Sequence, residues 1–228
     1  MESILAMNSE MPFSGLTSDQ RWDVFLDAYL EQEPQWLGDI RKQAEEEAIP
    51  IIRRETSYFL RWLLTVKKPT SILEIGTAVG YSALYMLHYA PPNASIVTIE
   101  QDQRRIKLAR DNIKKAGAQE RITLFEGDAA VMLPRLQGSF EWIFLDAAKA
   151  QYIVFLPQLL RLLSPEGILV TDNILQDGDT MQSRFAVCRR DRTIHKRMRE
   201  YLYAITHEAV LESDMIPIGD GVAVSVKK

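Results

Sequence analysis

Acidic residues and glycines recur just after the first three short apolar runs in the middle of the chain. Glu74, Gly76 and Gly80 belong to the segment ILEIGTAVGYS, and Glu100 and Asp128 follow the next two runs. Glycine lets the backbone approach a ligand closely. Glu100 lies 20 residues after Gly80, where a carboxylate can accept hydrogen bonds from both hydroxyls of a ribose, and Asp128 can face an adenine edge. These residue types indicate a nucleoside site.

The spacing of the glycines argues against one common kind of nucleotide site. Pyrophosphate binding requires G-x-G-x-x-G, whose amides hold the phosphates at a helix N-terminus, whereas the chain has only G-x-x-x-G after an acid. Each acid alone is better explained as a helix cap or a solvated loop residue, and Asp128 suits an N-cap. Together, three acids suit S-adenosylmethionine, whose amino group and sulfonium are cationic, better than a phosphate-bearing cofactor.

Oxygen donors follow the next two apolar runs. Asp146 comes after WIFL, and Asp172 and Asn173 come after ILVT, so the three side chains should reach one edge of the same cleft. Two carboxylates and an amide carbonyl suit Mg²⁺, and Mn²⁺ or Ca²⁺ could take its place. Asp172 and Asn173 could instead only build a turn. The presence of Asp146 favours the metal site.

The elements that must position these residues alternate between strands and helices. Short apolar runs, typical of buried parallel strands, are followed by helical segments that begin near Gly80, Asp102, Ala129 and Ala150. The predicted strands are Ile72–Ile75, Ser95–Ile99, Ile122–Phe125, Trp142–Leu145 and Ile168–Thr171. This alternation predicts an α/β fold with a doubly wound, mostly parallel sheet, which binds ligands at the carboxyl ends of its strands.

The last part of the chain departs from this alternation. A long basic helix is predicted over roughly Arg184–Thr206, followed by strands at His207–Ser213 and Val222–Lys227. The turn-rich segment from Pro217 to Gly221 joins these two strands. It favours an antiparallel pair at the edge of the sheet.

Length and composition indicate one folded domain. A chain of 228 residues can bury a sizeable core, and we expect a single domain with an N-terminal helical extension over residues 1–50 and a catalytic core over residues 51–228. No apolar run approaches a membrane span, and residues 1–17 lack the basic start of a secretory signal. A cytoplasmic protein is therefore expected. The formal net charge of −4 still permits a local basic patch.

Four segments together resemble the class I S-adenosylmethionine-dependent methyltransferases, and within them the metal-dependent O-methyltransferases that include the catechol and caffeoyl-coenzyme A enzymes. The resemblance extends from about Pro50 to the C-terminus. In order, the segments are LEIGT with GYS (residues 73–82), DAAKAQY (146–152), TDN (171–173) and GDG (219–221). The resemblance implies a Rossmann-like fold with a seven-stranded sheet, and a homodimer.

The same resemblance assigns roles to individual residues. Asp146, Asp172 and Asn173 would be the metal ligands, with Asp146 also a catalytic residue. Lys149, three residues after Asp146, would be the catalytic base beside the acceptor. A solvated lysine in a first helical turn is the ordinary alternative. The implied contacts of S-adenosylmethionine are Ile51, Glu74, Gly76, Thr77, Gly80, Tyr81, Ser82, Glu100, Asp128, Ala129 and Asp146.

A run of basic residues near the C-terminal end of the chain indicates which kind of substrate to expect. Its members are Arg184, Arg189, Arg190, Arg192, Lys196, Arg197 and Arg199. Such a run can engage phosphates without a basic overall pI, although a solvated, salt-bridged helix face has the same composition. With the DAAKAQY and GDG segments, it is similar to the bacterial transfer-RNA 5-hydroxyuridine methyltransferases. We therefore expect transfer RNA as the substrate and 5-methoxyuridine as the product. A small catechol-like or caffeoyl-type metabolite is the alternative, and a non-catalytic cofactor-binding protein is third.

Overall fold

In the computed structural model of the chain, residues 18–228 are described, with side chains from residue 24 onward. The described residues before Gln35 form one compact unit, and Gln35–Lys228 form another. Helix α1 (Ser18–Tyr29) belongs to the first unit, and the sheet belongs to the second. The single methyltransferase domain with a boundary at residue 50 stays a prediction.

One seven-stranded sheet forms the centre of the second unit. Its strands are β1 Ser71–Ile75, β2 Ser95–Glu100, β3 Ile122–Glu126, β4 Phe140–Leu145, β5 Leu163–Thr171, β6 Leu211–Ile216 and β7 Val222–Lys227. They lie in the order β3-β2-β1-β4-β5-β7-β6. β1 to β5 pair in parallel, whereas β7 is antiparallel to both β5 and β6. The predicted Rossmann-like sheet with an antiparallel C-terminal pair is confirmed.

Helices cover both faces of this sheet, which explains why its central strands are apolar on both sides. The helices of the second unit are α2 Gln35–Glu46, α3 Arg54–Lys67, α4 Tyr81–Tyr89, α5 Gln103–Lys115, α6 Ala129–Met132, α7 Tyr152–Leu162 and α8 Arg192–His207. Alternate residues of β4 enter two separate cores. Trp142 and Phe144 pack with α2 to α5, and Ile143 and Leu145 pack with α7 and α8. No helix within residues 18–228 is both long enough and apolar enough to cross a membrane.

The register of the strands brings the loops after β1, β4 and β5 to one edge. Ile75 at the end of β1 pairs with Leu145 at the end of β4. Two hydrogen bonds then continue beyond the strands: the N–H of Asp146 donates to the carbonyl of Ile75 at 3.0 Å, and the N–H of Asp172 donates to the carbonyl of Leu145 at 3.1 Å. The two aspartates therefore leave the sheet side by side.

Helix α8 is shorter than the sequence predicts. It begins at Arg192 rather than near Arg184. Within residues 183–190 only Val187 is buried, and the main-chain hydrogen bonds there are those of single turns. Because no apolar stripe packs against the core, nothing stabilises a helix in this segment. The prediction of a helix from Arg184 was wrong.

The first C-terminal strand also begins later than predicted. α8 continues through His207, and β6 starts at Leu211 rather than at His207. The hydroxyl of Thr206 donates to the carbonyl of Leu202 at 2.8 Å. This hydrogen bond lies within the last turn of α8, which extends to His207. The predicted strand therefore starts four residues too early.

Candidate active site

A cavity of about 630 Å³ opens at the carboxyl ends of the parallel strands, where a doubly wound sheet binds its ligands. The sequence-predicted residues that line it are Ile51, Gly76, Glu100, Asp128, Ala129, Asp146, Lys149 and Asn173. The predicted residues that do not line it are Glu74, Thr77, Gly80, Tyr81, Ser82 and Asp172. The structure therefore brings together both halves of the predicted site, and it places several further predicted residues behind the cavity wall.

Gly76 is the point where the two halves meet. It follows β1 with a φ of +101°, a conformation that favours glycine. A Cβ at this position would lie 2.0 Å from the main-chain carbonyl oxygen of Asp146. The loops after β1 and β4 are therefore in main-chain contact. Gly80, with a φ of +83°, is the N-cap of α4, and its N–H donates to the carbonyl of Thr77 at 2.8 Å.

Glu100 ends β2 as a buried carboxylate on the cavity wall. Its Oε2 accepts the N–H of Ala78 at 2.9 Å, and its Oε1 accepts those of Gln101 at 2.9 Å and Asp102 at 3.0 Å. These bonds fix the carboxylate between the glycine loop and the start of α5. Because a carboxylate has about four acceptor positions, one remains available on Oε2 for a hydroxyl of a ligand.

Asp128 is an exposed N-cap residue at the start of α6. Its Oδ1 accepts the N–H of Ala130 at 2.8 Å, which satisfies one of the free amides of the first turn. Asp128 and Ala129 also line the cavity. The cap therefore exists as the sequence suggested, and the second carboxylate oxygen keeps the predicted adenine contact possible.

Glu74 lies fully buried behind the glycine loop. Its carboxyl group accepts hydrogen bonds from the hydroxyls of Ser82 and Thr98, and the hydroxyl of Thr98 also lies 2.5 Å from that of Thr77. Burial raises the pKa of Glu74 to about 7, although the two hydroxyl donors act in the opposite direction. This polar cluster ties β1, β2 and α4 together, and direct contact of its members with a cofactor stays a prediction.

Tyr81 begins α4 and is buried against an arginine from α2. The guanidinium of Arg41 donates to the Tyr81 hydroxyl, lies 4.5 Å from its ring centroid, and donates to the carbonyl of Ile52 at 3.1 Å. Because the neighbouring Ile51 lines the cavity, Arg41 connects the cavity wall to the helix after the glycine loop. The sequence gives no signal for Arg41, since a buried arginine within an amphipathic helix produces no motif.

Lys149 brings the predicted base and two predicted metal ligands into contact. Its Nζ lies 3.0 Å from Oδ1 of Asp146 and 2.9 Å from Oδ1 of Asn173. The side chains of Lys149 and Asp146 are 24% and 23% exposed, so a ligand in the cavity can reach both. Lys149 starts a short 3₁₀ helix, Lys149–Gln151, that leads directly into α7.

Asp172 lies deeper than the other two oxygen donors. Its Oδ1 accepts the N–H of Asn173 at 2.8 Å, and its buried Oδ2 has no hydrogen-bond partner within the described part of the chain. Burial, and then the carboxylate of Asp146, raise the pKa of Asp172 above its ordinary value. A buried carboxylate oxygen without a partner is costly unless a proton or a cation reaches it.

The three donors fit a hard divalent cation. Asp146, Asp172 and Asn173 offer carboxylate and amide oxygens, which Mg²⁺ prefers, together with open positions for water or an acceptor. Among residues 18–228, no three His, Cys, Asp or Glu side chains gather in a way that could hold a metal, so an ion here would depend on the Asn173 amide. The ammonium of Lys149 already contacts two of the three donors, which indicates that a positive charge is favoured at this point.

Asp220 and its loop form a wall of the cavity that the sequence analysis left without a role. Its Oδ1 accepts the N–H of Asp177 at 2.7 Å, and the Asp177 carboxylate pairs with Arg53 at 3.0 Å. A Cβ on Gly219 would lie 2.6 Å from the hydroxyl oxygen of Thr56, so the turn packs tightly against α3. The GDG segment itself was the available signal for this wall.

Comparison with known proteins identifies the family. A family model described as O-methyltransferase matches residues 28–228. This match covers most of the chain and includes every predicted site residue. The chain belongs to this O-methyltransferase family.

Individual relatives agree with this assignment. A catechol O-methyltransferase from Niastella koreensis is 35% identical over 127 residues, which span 54% of this chain and 58% of that protein. A caffeoyl-CoA O-methyltransferase from Eucalyptus gunnii is 28% identical over 216 residues, which span 91% of this chain and 87% of that protein. A solved methyltransferase from Podospora anserina, with S-adenosylhomocysteine bound, is 27% identical and has a TM-score of 0.85 over 97% of this chain and 99% of that one. The predicted enzyme class is confirmed.

Proposed function

We propose that this chain transfers the methyl group of S-adenosylmethionine to an acceptor hydroxyl that a divalent cation helps to hold. The observation that carries the proposal is one cavity lined by a ribose-type acceptor, Glu100, at one end and by Lys149, Asp146 and Asn173 at the other. Main-chain contact at Gly76 keeps these two ends together.

The nucleoside half of the cavity fits the cofactor. Glu100 is fixed by backbone donors and retains an acceptor position, and the acidic lining suits a ligand with two positive groups. Ile51 adds an apolar contact on the cavity wall. When bound, S-adenosylmethionine supplies a methyl group on a sulfonium: the acceptor oxygen bonds to the methyl carbon as the carbon–sulfur bond breaks, and the electron pair stays on sulfur.

The proton of the acceptor hydroxyl is assigned to Lys149. Asp146 and Asn173 hold its Nζ at a fixed position, which is the geometric requirement for a general base. Phe155 is buried and also lines the cavity, so it limits the access of water from that side. When bound at Asp146, Asp172 and Asn173, Mg²⁺ would lower the pKa of the acceptor hydroxyl.

Metal dependence is tested by removing the ion. Turnover should be lost in excess chelator and return when Mg²⁺ is added. Mg²⁺ should also raise the thermal midpoint of the wild type but not that of Asp172→Asn, because ligand binding to the folded state stabilises it. Full turnover of chelated protein in which no metal is detected would contradict this part of the proposal.

For the acceptor, we propose a 5-hydroxyuridine in transfer RNA. Exposed cations support this choice: Arg184, Arg189 and Arg190 lie on the segment before α8, in a chain whose net charge is −4. Such a local group of cations can engage phosphates. The 5-hydroxyl and 4-carbonyl of that base are adjacent oxygens, so they could share a metal as the two oxygens of a catechol can.

The acceptor is tested by methyl transfer from labelled cofactor to bulk transfer RNA from a strain that lacks the enzyme, beside transfer to a simple catechol. RNA should be labelled, and labelling should fall in Arg189→Glu/Arg190→Glu. The charge-matched control is Lys114→Glu/Lys115→Glu, at two exposed residues in the last turn of α5. Labelled catechol with unlabelled RNA would overturn the choice of RNA.

A small catechol-like or caffeoyl-type metabolite is the second candidate. The observation in its favour is that relatives of this chain are named for catechol and for caffeoyl-CoA. The same experiment decides between the two candidates. A homodimer and a cytoplasmic location also belong to the proposal. Light scattering on the purified protein tests the first, and cell fractionation tests the second.

A further inference from the structure

A second pocket, of about 430 Å³, lies beside α8 and the segment before it. It is lined by Arg184, His195, Lys196, Arg199, Glu200 and Tyr203. None of these residues lines the cavity at the ends of the strands, and none has a part in the methyl transfer described above. Three of its residues are cations and one is a tyrosine, whereas acids outnumber cations among the charged residues of the active-site cavity.

The wall of the pocket is almost wholly apolar surface, to which the charged side chains contribute mainly through their carbon atoms. Three cations face one carboxylate, and Lys196 lies 3.6 Å from Glu200 on the same face of α8. The guanidinium of Arg199 donates to the carbonyl of Thr180 at 3.3 Å, so its position is fixed. Arg184 is exposed and also lines the pocket. Arg184 and Arg199 therefore supply positive charge that the one carboxylate does not balance.

The pocket also presents an aromatic face. The side chain of Tyr203 is 66% exposed, and its ring stacks on that of His207 with centroids 3.9 Å apart and an interplanar angle of 18°. His195 is buried below and its ring Nε2 lies 3.2 Å from the carbonyl of Gln182. An exposed, supported ring beside cations is the arrangement by which proteins bind single-stranded nucleic acid, because bases stack on the ring while cations contact phosphates.

Two hydrogen bonds connect α8 to segments close in sequence to residues of the active-site cavity. Arg197 of α8 donates to the carbonyl of Ala150 at 3.0 Å, next to Lys149 in the chain. Arg199 donates to the carbonyl of Thr180, on the segment that leads away from the metal donors. α8 therefore packs against the segment that carries Lys149.

We propose that this pocket binds a nucleotide of the RNA strand next to the methylated base, with its base on Tyr203 and its phosphate between Arg184 and Arg199. This inference rests on the proposed RNA substrate. It adds a site that positions the strand, distinct from the site that carries out the transfer.

The test compares transfer to transfer RNA with transfer to the free nucleoside 5-hydroxyuridine, which is too small to occupy both sites. Tyr203→Ala should raise the KM for RNA about tenfold relative to the KM for the nucleoside, as for the loss of one stacked base. Tyr203→Phe keeps the ring and should restore the KM for RNA. Arg184→Ala should lower the slope of log KM against log salt by about 0.7, as for one phosphate contact to a single strand, whereas Lys115→Ala should not.

The outcomes separate the pocket from the proposed function. If the wild type does not methylate RNA, the proposed substrate fails and the pocket assignment fails with it. If the wild type methylates RNA and Tyr203→Ala leaves the ratio of the two KM values unchanged, only the pocket assignment fails. A change in oligomeric state in Tyr203→Ala would also overturn it, because a second copy of the chain would then be the occupant.

Discussion

Replacing Glu74 with glutamine tests whether a buried carboxyl group behind the glycine loop makes stability depend on pH. In the folded chain, burial raises the pKa of Glu74 from 4.5 to about 7. Glutamine has nearly the same shape and cannot ionise. It can still accept from Ser82 and donate to the hydroxyl of Thr98, which can in turn donate to Thr77. The variant therefore removes the titration while it preserves most of the packing and the hydrogen bonds.

The sign and the size of the change in stability with pH follow from the pKa values of Glu74 in the unfolded and the folded chain. Below pH 4.5 the carboxyl group is protonated in both the folded and the unfolded chain. Between pH 4.5 and about 7 the folded chain keeps a proton that the unfolded chain has lost, so the free energy of unfolding falls as pH rises. At 1.36 kcal/mol per pH unit, this interval corresponds to a loss of about 3 kcal/mol.

Urea unfolding near pH 5 and near pH 8.5, at one ionic strength, measures this loss. Glu74→Gln should gain about 2–3 kcal/mol relative to the wild type between the two conditions, because part of the effect is already present at pH 5. Other groups, Asp172 among them, titrate in both proteins and cancel. Glu141→Gln is the control: backbone donation from Thr70 lowers the pKa of Glu141, so its stabilising effect is already present near pH 5 and should stay nearly constant. A gap between Glu74→Gln and wild type that does not change with pH would refute the reasoning.

Three further predictions concern the site. Glu100→Ala should weaken S-adenosylmethionine binding by about 1–3 kcal/mol in calorimetry, whereas Glu126→Ala, at the end of the next strand, should not; equal affinities would exclude the ribose role. Lys149→Met should lower kcat more than it weakens cofactor binding, and a normal kcat would show that Lys149 is not the base. Gly76→Ala should lower the free energy of unfolding by about 3 kcal/mol or more. Gly138→Ala, at a similar φ of +100° but with no atom within 4 Å, should cost about 1 kcal/mol; equal losses would contradict the predicted overlap at Gly76.

The sequence predicts the sheet well because its central strands are buried on both faces. Each of the five parallel strands was located within five residues at its start and one at its end, since an apolar run bounded by polar turns has few other structures available. The order of strands at the cavity edge follows from the fold class. Asp146, Lys149 and Asn173 could therefore be brought together from their positions after β4 and β5 alone.

Side-chain depth is what the sequence does not predict. Glu74 and Glu100 both belong to strands that end at the cavity, yet one lies behind the glycine loop and the other lines the cavity. The difference depends on which face of the strand each residue occupies in relation to the loop, and this is a tertiary property. Arg41 is a similar case, because its burial depends on contacts with Ile52 and Tyr81 that lie 11 and 40 residues away in the chain.

The contact between Gly76 and Asp146 explains why the site depends on segments that are far apart in sequence. A backbone that approaches to within 2.0 Å of a virtual Cβ leaves no room for a side chain, so the loop after β1 and the loop after β4 cannot move independently. The main chain of Asp146 contacts Gly76 in the nucleoside half of the cavity. Its side chain contacts Lys149. A shift of the glycine loop would therefore move the base as well as the cofactor wall. Since a misplacement of about 1 Å can lower a rate on the order of 10²-fold, this shared backbone contact gives one physical reason why both halves of the cavity lie at one edge of the sheet.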